Sequence, residues 1–212
     1  MSTAAHLAAT EYFDFFHPDI QAFSRQVTGS TPVEKAISIY NLVRDEIVYN
    51  PYTLKDGLPS LKASYCLQNN QAYCIPKAAL MVALCRLHGI PARLGLADVI
   101  NHLSTPALVE WLGTDYFALH GYAEVLLNEK WVKATPVFNK ELCNKFNVEP
   151  LAFDGHHDAI LQSATNDGSK HMEYVKYHGC FDDMPVEFIQ ETASKVYPHF
   201  ADIFATDNLT AR

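Results

Sequence analysis

The apolar positions of the chain follow a helical rhythm first and a strand rhythm later. Val33, Ile37, Tyr40, Val43 and Ile47 recur at three- and four-residue spacing, which predicts a helix with one buried face. Its start is signalled by Ser30 or Thr31 as cap, Pro32 in the first turn and Glu34 three residues after Thr31. Asn50-Pro51-Tyr52 predicts its end, because a residue before proline is pushed out of the α region. Upstream, residues 17–29 (HPDIQAFSRQVTG) predict a short helix ending at Gly29. Residues 53–73 show no clear period and read as loop. Residues 74–88 are apolar on nearly every side, which predicts a helix buried in the core. Pro76 fits only a first turn, so this helix begins at Cys74 or Ile75, and Gly89 stops it.

After Pro91 the texture changes. ARLGLADVI (92–100) reads as a strand, and STPALVEWLGTD (104–115) as a short helix or loop insertion. FALHGYAEVLLN and KWVKATPVF read as two strands joined by a tight turn at Asn128–Lys130. Residues 140–180 are polar and irregular, and MPVEFIQETASKVYPHF predicts one more helix. Helices followed by an antiparallel sheet predict an α+β fold. At 212 residues the expectation is a single domain, 1–212, with residues 140–212 as an extension over the core or cleft.

Composition narrows the function classes. Hydrophobic residues make up 49%, enough for a full core, and the formal net charge of −8 argues against a nucleic-acid surface. The longest apolar run, AALMVALC (78–85), is far short of the ~18–20 residues that span a membrane. The N-terminus lacks the basic region of a signal peptide, and its aromatics Tyr12, Phe13, Phe15 and Phe16 are expected to dock on the domain. The cysteines at 66, 74, 85, 143 and 180 form no CxxC pair, which fits a reduced, cytoplasmic protein. His156, His157, Asp158, His171, Glu173, His178, Cys180, Asp182 and Asp183 crowd the C-terminal third without a zinc motif, so no metal is expected. No phosphate-binding loop and no calcium loop appears, so no cofactor is expected either.

Cys74 carries the candidate chemistry. A thiol attacks only as thiolate, and a free cysteine titrates at about 8.5. A helix starting at Cys74 aims its positive end at the sulfur, which lowers that value. A nucleophile needs a base and the base needs an orienting group. His120 lies on a predicted strand, where alternation puts His120, Tyr122 and Glu124 on one face and Gly121, Ala123 and Val125 on the other. Cys85 sits mid-helix among apolar neighbours and reads as core.

Three blocks resemble the transglutaminase-like superfamily, whose fold is related to papain-like cysteine proteases. They are Cys74 followed by KAALMVALCRLHGIPAR, His120 in HGYAEVLLNEKW, and WVKATP at 131–136, together covering about residues 33–139. The resemblance implies a nucleophile at the N-terminus of a buried central helix packed on an antiparallel sheet. It implies Cys74 as nucleophile and His120 as base, and it aligns Thr135 with the third catalytic position, usually aspartate. Ala72 and Tyr122 replace the family's glycine and tryptophan. Thr135 supplies no charge, and in the serine-protease template losing that charge costs about 10⁴ in turnover. Asn139, Asp98 and Asp154 are alternatives for orienting His120. Gln68, six residues before Cys74, matches the spacing of the papain-like oxyanion glutamine; Gln71 and Asn70 are rivals, and the backbone N–H of Cys74 is a further donor.

The implied activity is acyl transfer through a thioester on Cys74, resolved by water or by an amine, on a peptide or small-molecule acyl substrate. The alternative is a non-catalytic binding module, motivated by Thr135. Neither nucleic acid nor a membrane is an expected partner, and the sequence leaves the oligomeric state open.

Overall fold

In a computed structural model, residues 3–204 of the chain are described. Helix α1 (Pro18–Ser24) is followed by α2 (Pro32–Glu46). The predicted capping box of α2 forms: Thr31 accepts from the Glu34 N–H, and the Glu34 carboxylate accepts from the Thr31 N–H. Two expected ends move. Helix α1 stops at Ser24, well before Gly29, and α2 stops at Glu46, before the proline signal acts. Val48–Tyr49 (β1) instead pairs in parallel with Gln71–Ala72 (β2).

The stretch expected to be loop contains a short helix, α3 (Ala63–Asn69). It is held from outside: Ala63 N–H donates to Tyr12 O, Ser64 N–H to Asp14 Oδ1, and Ala63 to Cys66 are buried. Tertiary contact with the N-terminal segment supplies what the weak local pattern lacks. Phe13 and Phe15 of that segment enter the core, whereas Phe16 stays exposed.

Helix α4 (Cys74–Leu87) begins and ends where its pattern predicts, and every residue from Ile75 to Arg86 is buried. Gly89 follows it at φ +73, a left-handed turn that glycine adopts without strain. Burial forces its two cations to find carbonyls. Lys77 Nζ donates to Arg44 O (3.1 Å) and to Ile47 O, at the C-terminal end of α2, and burial pulls its pKa down to about 7. Arg86 reaches Ala8 O, Ala92 O and Asp182 O.

Behind α4 stands an antiparallel sheet of β3 (Ala92–Asn101), β4 (Tyr116–Leu127), β5 (Lys130–Ala134) and β6 (Met172–Phe181), in the order β5-β4-β3-β6. The tight turn joining β4 and β5 uses left-handed Asn128 and Glu129. Strand β6 corrects the reading of 140–180 as irregular: it pairs along β3 at the sheet edge. Its alternation is weak because many of its side chains are exposed. The same region also holds α6 (Lys140–Lys145), while α5 (Pro106–Leu112) sits between β3 and β4. Helix α7 (Val186–Val196) lies against β4, with Ile189 and Ala193 buried. The arrangement is α+β, as expected. No helix among the described residues is long and apolar enough to cross a membrane.

Candidate active site

Cys74 is the first residue of α4, which has no side-chain cap. The uncapped N–H groups at such a helix start need a partner. Here the sulfur takes that place, with the N–H groups of Gly121, Ile75 and Cys74 itself directed at it. Gly121 makes the approach possible. A Cβ on it would stand 2.7 Å from Ile75 Cα and 3.0 Å from Ile75 N, so β4 crosses the first turn of α4 at backbone distance. The sequence signal was a glycine inside a strand pattern, which marks close backbone approach.

Cys74 and His120 line one largely apolar cavity. Tyr49, Tyr73, Trp111 and Tyr197 share its walls, and no Asp, Glu, Lys or Arg does. No hydrogen bond joins the two residues. Cys74 is half-buried, and His120 is buried with Nε2 closed off and unpartnered among the described residues.

The apolar walls set the electrostatics. Burial pushes the Cys74 thiol up to about 11, against the smaller opposite pull of the Gly121, Ile75 and Cys74 N–H groups. Burial also pulls His120 down to about 4. The net direction at Cys74 is opposite to the one a helix start alone predicts, because desolvation of a thiolate in this cavity exceeds what three N–H dipoles return. Burial thus disfavours the thiolate and the imidazolium alike. The resting pair is therefore a neutral thiol and a neutral imidazole.

The expected orienting groups fall elsewhere. Thr135 is buried and its backbone carbonyl accepts from Tyr40 Oη (3.2 Å), but its hydroxyl makes no hydrogen bond to His120 or to any other described residue. Tyr174 borders His120: its ring meets the His120 ring edge-on at 5.9 Å, and burial pushes its hydroxyl up to about 12. Asn139 is committed to Tyr49 N–H and Glu141. Asp154 is exposed and bonds His156 and His157.

Asp98 acts on the backbone beside His120 instead of on its ring. Its Oδ1 accepts from Leu119 N–H (3.0 Å), its Oδ2 from Tyr116 Oη (2.7 Å), and His178 Nε2 lies 2.8 Å away. Leu119 is left-handed, at φ +60, within the bulge in β4, where the step from Phe117 to His120 opposes the shorter step from Val99 to Ala97 on β3. A left-handed residue with a bulky side chain is strained. Burial raises the Asp98 carboxyl, but Tyr116, Leu119 and His178 outweigh it and hold it below the usual range.

Gln68 is corrected as an oxyanion donor. It is exposed at the end of α3, 3.3 Å from His17 Nε2, and it does not line the cavity. The rivals are no better placed: Gln71 is exposed and accepts from Asn50, and Asn70 is an exposed left-handed cap. Glu124 faces away from the cavity, paired with Arg93 (2.7 Å) and Lys133 (3.6 Å). Among the described residues no group of three or more His, Cys, Asp or Glu is placed to hold a metal ion.

A model of the transglutaminase-like superfamily matches residues 21–136, more than half of the chain, from within α1 through β5. The chain belongs to the transglutaminase-like superfamily. Among solved structures it is similar to a proposed cysteine protease from Cytophaga hutchinsonii, at 13% identity and TM-score 0.47, over 84% of this chain and 56% of that one. It is also similar to a TGase, at 16% identity and TM-score 0.40, over 59% and 31%. A proposed protease from Parabacteroides distasonis ATCC 8503 follows at 13% identity and TM-score 0.39, over 63% and 26%. The chain thus spans from about a quarter to just over half of these proteins' lengths. No curated protein matches the sequence.

Proposed function

We infer that the chain is a cysteine-dependent acyl-transfer enzyme of the transglutaminase-like type. One observation carries this reading: Cys74, at the uncapped start of a buried helix, and His120 line the same apolar cavity. A carbonyl entering there meets the sulfur first. The Cys74 proton passes to His120 as the sulfur–carbon bond forms, because the ion pair is too costly to stand beforehand. The N–H groups of Gly121 and Ile75, now directed at the sulfur, are the donors nearest the attacked carbon and take the oxyanion role. His120 then returns the proton to the leaving amine or alcohol, and a thioester remains on Cys74. Water or a second amine, deprotonated by His120, releases the acyl group and restores the thiol.

A second reading, a non-catalytic module of the same fold, is favoured by Thr135, which puts no charge where an imidazolium would need one. The pH–rate profile of p-nitrophenol release from an activated ester separates the two. The enzyme reading expects a rate rising out of an acid limb near pH 4, where His120 gains its free base. It also expects a fall of about 10²–10⁴ in His120→Ala. Release no faster than from Cys74→Ala establishes the module.

A further inference from the structure

The strand that carries His120 outruns one of its neighbours. Strand β5 pairs with β4 only from Ala123 to Leu127, so among the described residues Tyr116–Tyr122 has β3 on one edge and no strand on the other. Helix α7 packs against β4, and Tyr197, the first residue after α7, is buried on the wall of the Cys74 cavity. The Tyr197 hydroxyl accepts from Ala118 N–H (2.7 Å) and donates to Tyr116 O (3.1 Å). These groups flank Phe117, whose register partner on β3 is Val99. One side-chain oxygen thus takes the two backbone groups that a further strand would otherwise take. Burial pushes the phenol up, so it stays protonated and donates and accepts at once. From the β3 side, Asp98 Oδ1 accepts from Leu119 N–H at 3.0 Å. Tyr116, Ala118 and Leu119 are therefore tied from two sides immediately before His120. Tyr197 lies outside residues 21–136, the span that the family model matches.

Resting on the acyl-transfer reading, we propose that Tyr197 is a positioning residue for that reaction: its hydroxyl, with Asp98 on the other side, clamps the backbone before His120 and so fixes where the imidazole stands relative to Cys74. The ring needs such a hold, because His120 Nε2 has no hydrogen-bond partner among the described residues. Its place is set by the backbone that carries it. Leu119 keeps its left-handed φ of +60 only while its surroundings hold it there. Without the Tyr197 oxygen, Ala118 N–H and Tyr116 O lose their partner, the free edge loosens, and the strained residue relaxes and turns the one after it. Such a misplacement acts on the proton transfer more than on the binding of the ester, so it lowers the limiting rate.

Tyr197→Phe tests this, because it keeps the ring on the cavity wall and removes only the oxygen. The His120 ring signal in the NMR spectrum, assigned by its absence in His120→Gln, should shift in Tyr197→Phe. In pre-steady-state release of p-nitrophenol from its phenylacetate ester, the limiting acylation rate should fall about tenfold or more, while the half-saturating ester concentration changes by less than about twofold. Tyr65→Phe removes a buried hydroxyl that bonds Asp56 away from the cavity, and it should move neither reading. An unmoved His120 signal, a loss carried by the half-saturating concentration, or an equal effect in Tyr65→Phe overturns the proposal. Amide exchange in the unsubstituted chain keeps the test open if Tyr197→Phe does not fold. Ala118 N–H should exchange about a hundredfold or more slowly than an open amide, and exchange at the open rate overturns the clamp. A shifted His120 signal in a chain that never acylates removes the enzyme reading and leaves the clamp standing. Acylation with an unmoved signal does the reverse.

Discussion

The Asp98 carboxylate accepts the backbone N–H of Leu119 at 3.0 Å and so fixes the chain one residue ahead of His120. Leu119 holds a left-handed conformation that leucine rarely adopts. The ladder register breaks next to it, with Ala97 opposite His120 and Val99 opposite Phe117. Without Asp98 the strand is expected to relax towards regular alternation and carry the imidazole with it. Asp98→Ala should therefore cost about 3 kcal/mol, because Tyr116, Leu119 and His178 lose a shared buried partner. Adding Leu119→Gly should recover about 1 kcal/mol, since glycine takes a positive φ freely. Denaturant melts of the single and double variants check this; equal stability of the two contradicts it.

Gly121 and Ile75 make the corresponding contact on the helix side. Gly121→Ala places a methyl group 2.7 Å from Ile75 Cα, backbone that cannot swing aside. The expected loss is about 1–3 kcal/mol of stability. Acylation of Cys74 should fall by more than the stability change explains, because the Gly121 N–H moves away from the sulfur. Urea midpoints and acylation rates on the same samples read both effects.

The neutral His120 leaves a mark on acid stability. Its folded pKa is about 4, against about 6.5 when unfolded. Between these values the unfolded chain binds the extra proton, so stability rises with pH across that window. The contribution is complete above about pH 6.5, and about 3 kcal/mol of it is lost as pH falls through the window to 4. His120→Gln should flatten that slope between pH 6.5 and 4.5 by most of this amount. An unchanged slope means that His120 is not buried as described.

Much of this was legible in the sequence, for physical reasons that differ by element. Pro76 fixes the start of α4, and the continuous apolar run fixes its burial, so Cys74 could be placed before any coordinates. The Thr31–Glu34 box is a local motif and formed as read. Helix α3 was not legible, since its stability comes from Tyr12 and Asp14, far away in sequence. Gln68 failed for the same reason: a six-residue spacing carries no direction when α3 and β2 intervene. The role of Asp98 depends on a bulge that no spacing rule shows. The pKa of Cys74 went the other way because the sequence displays the helix start but hides the tyrosines around it.

Those tyrosines set the reactivity expected of the resting thiol. Iodoacetamide should modify Cys74 slowly at pH 7, with a rate that climbs towards pH 11, above an ordinary thiol. Cys66 and Cys85, fully buried with pKa values pushed higher still, should remain unmodified in the folded chain. Peptide mapping across pH 6–11 tests the order. Rapid modification of Cys74 at pH 6 would show that the ion pair already exists.

The central claim is a thioester on Cys74 formed with the help of His120. The direct measurement is intact-mass spectrometry after rapid quench, with the p-nitrophenyl ester of phenylacetic acid at pH 7. The account predicts one acyl adduct, mapped to Cys74, absent in Cys74→Ala and formed at least about 10²-fold more slowly in His120→Ala. An adduct that forms equally fast without His120, or that maps to any residue other than Cys74, contradicts it.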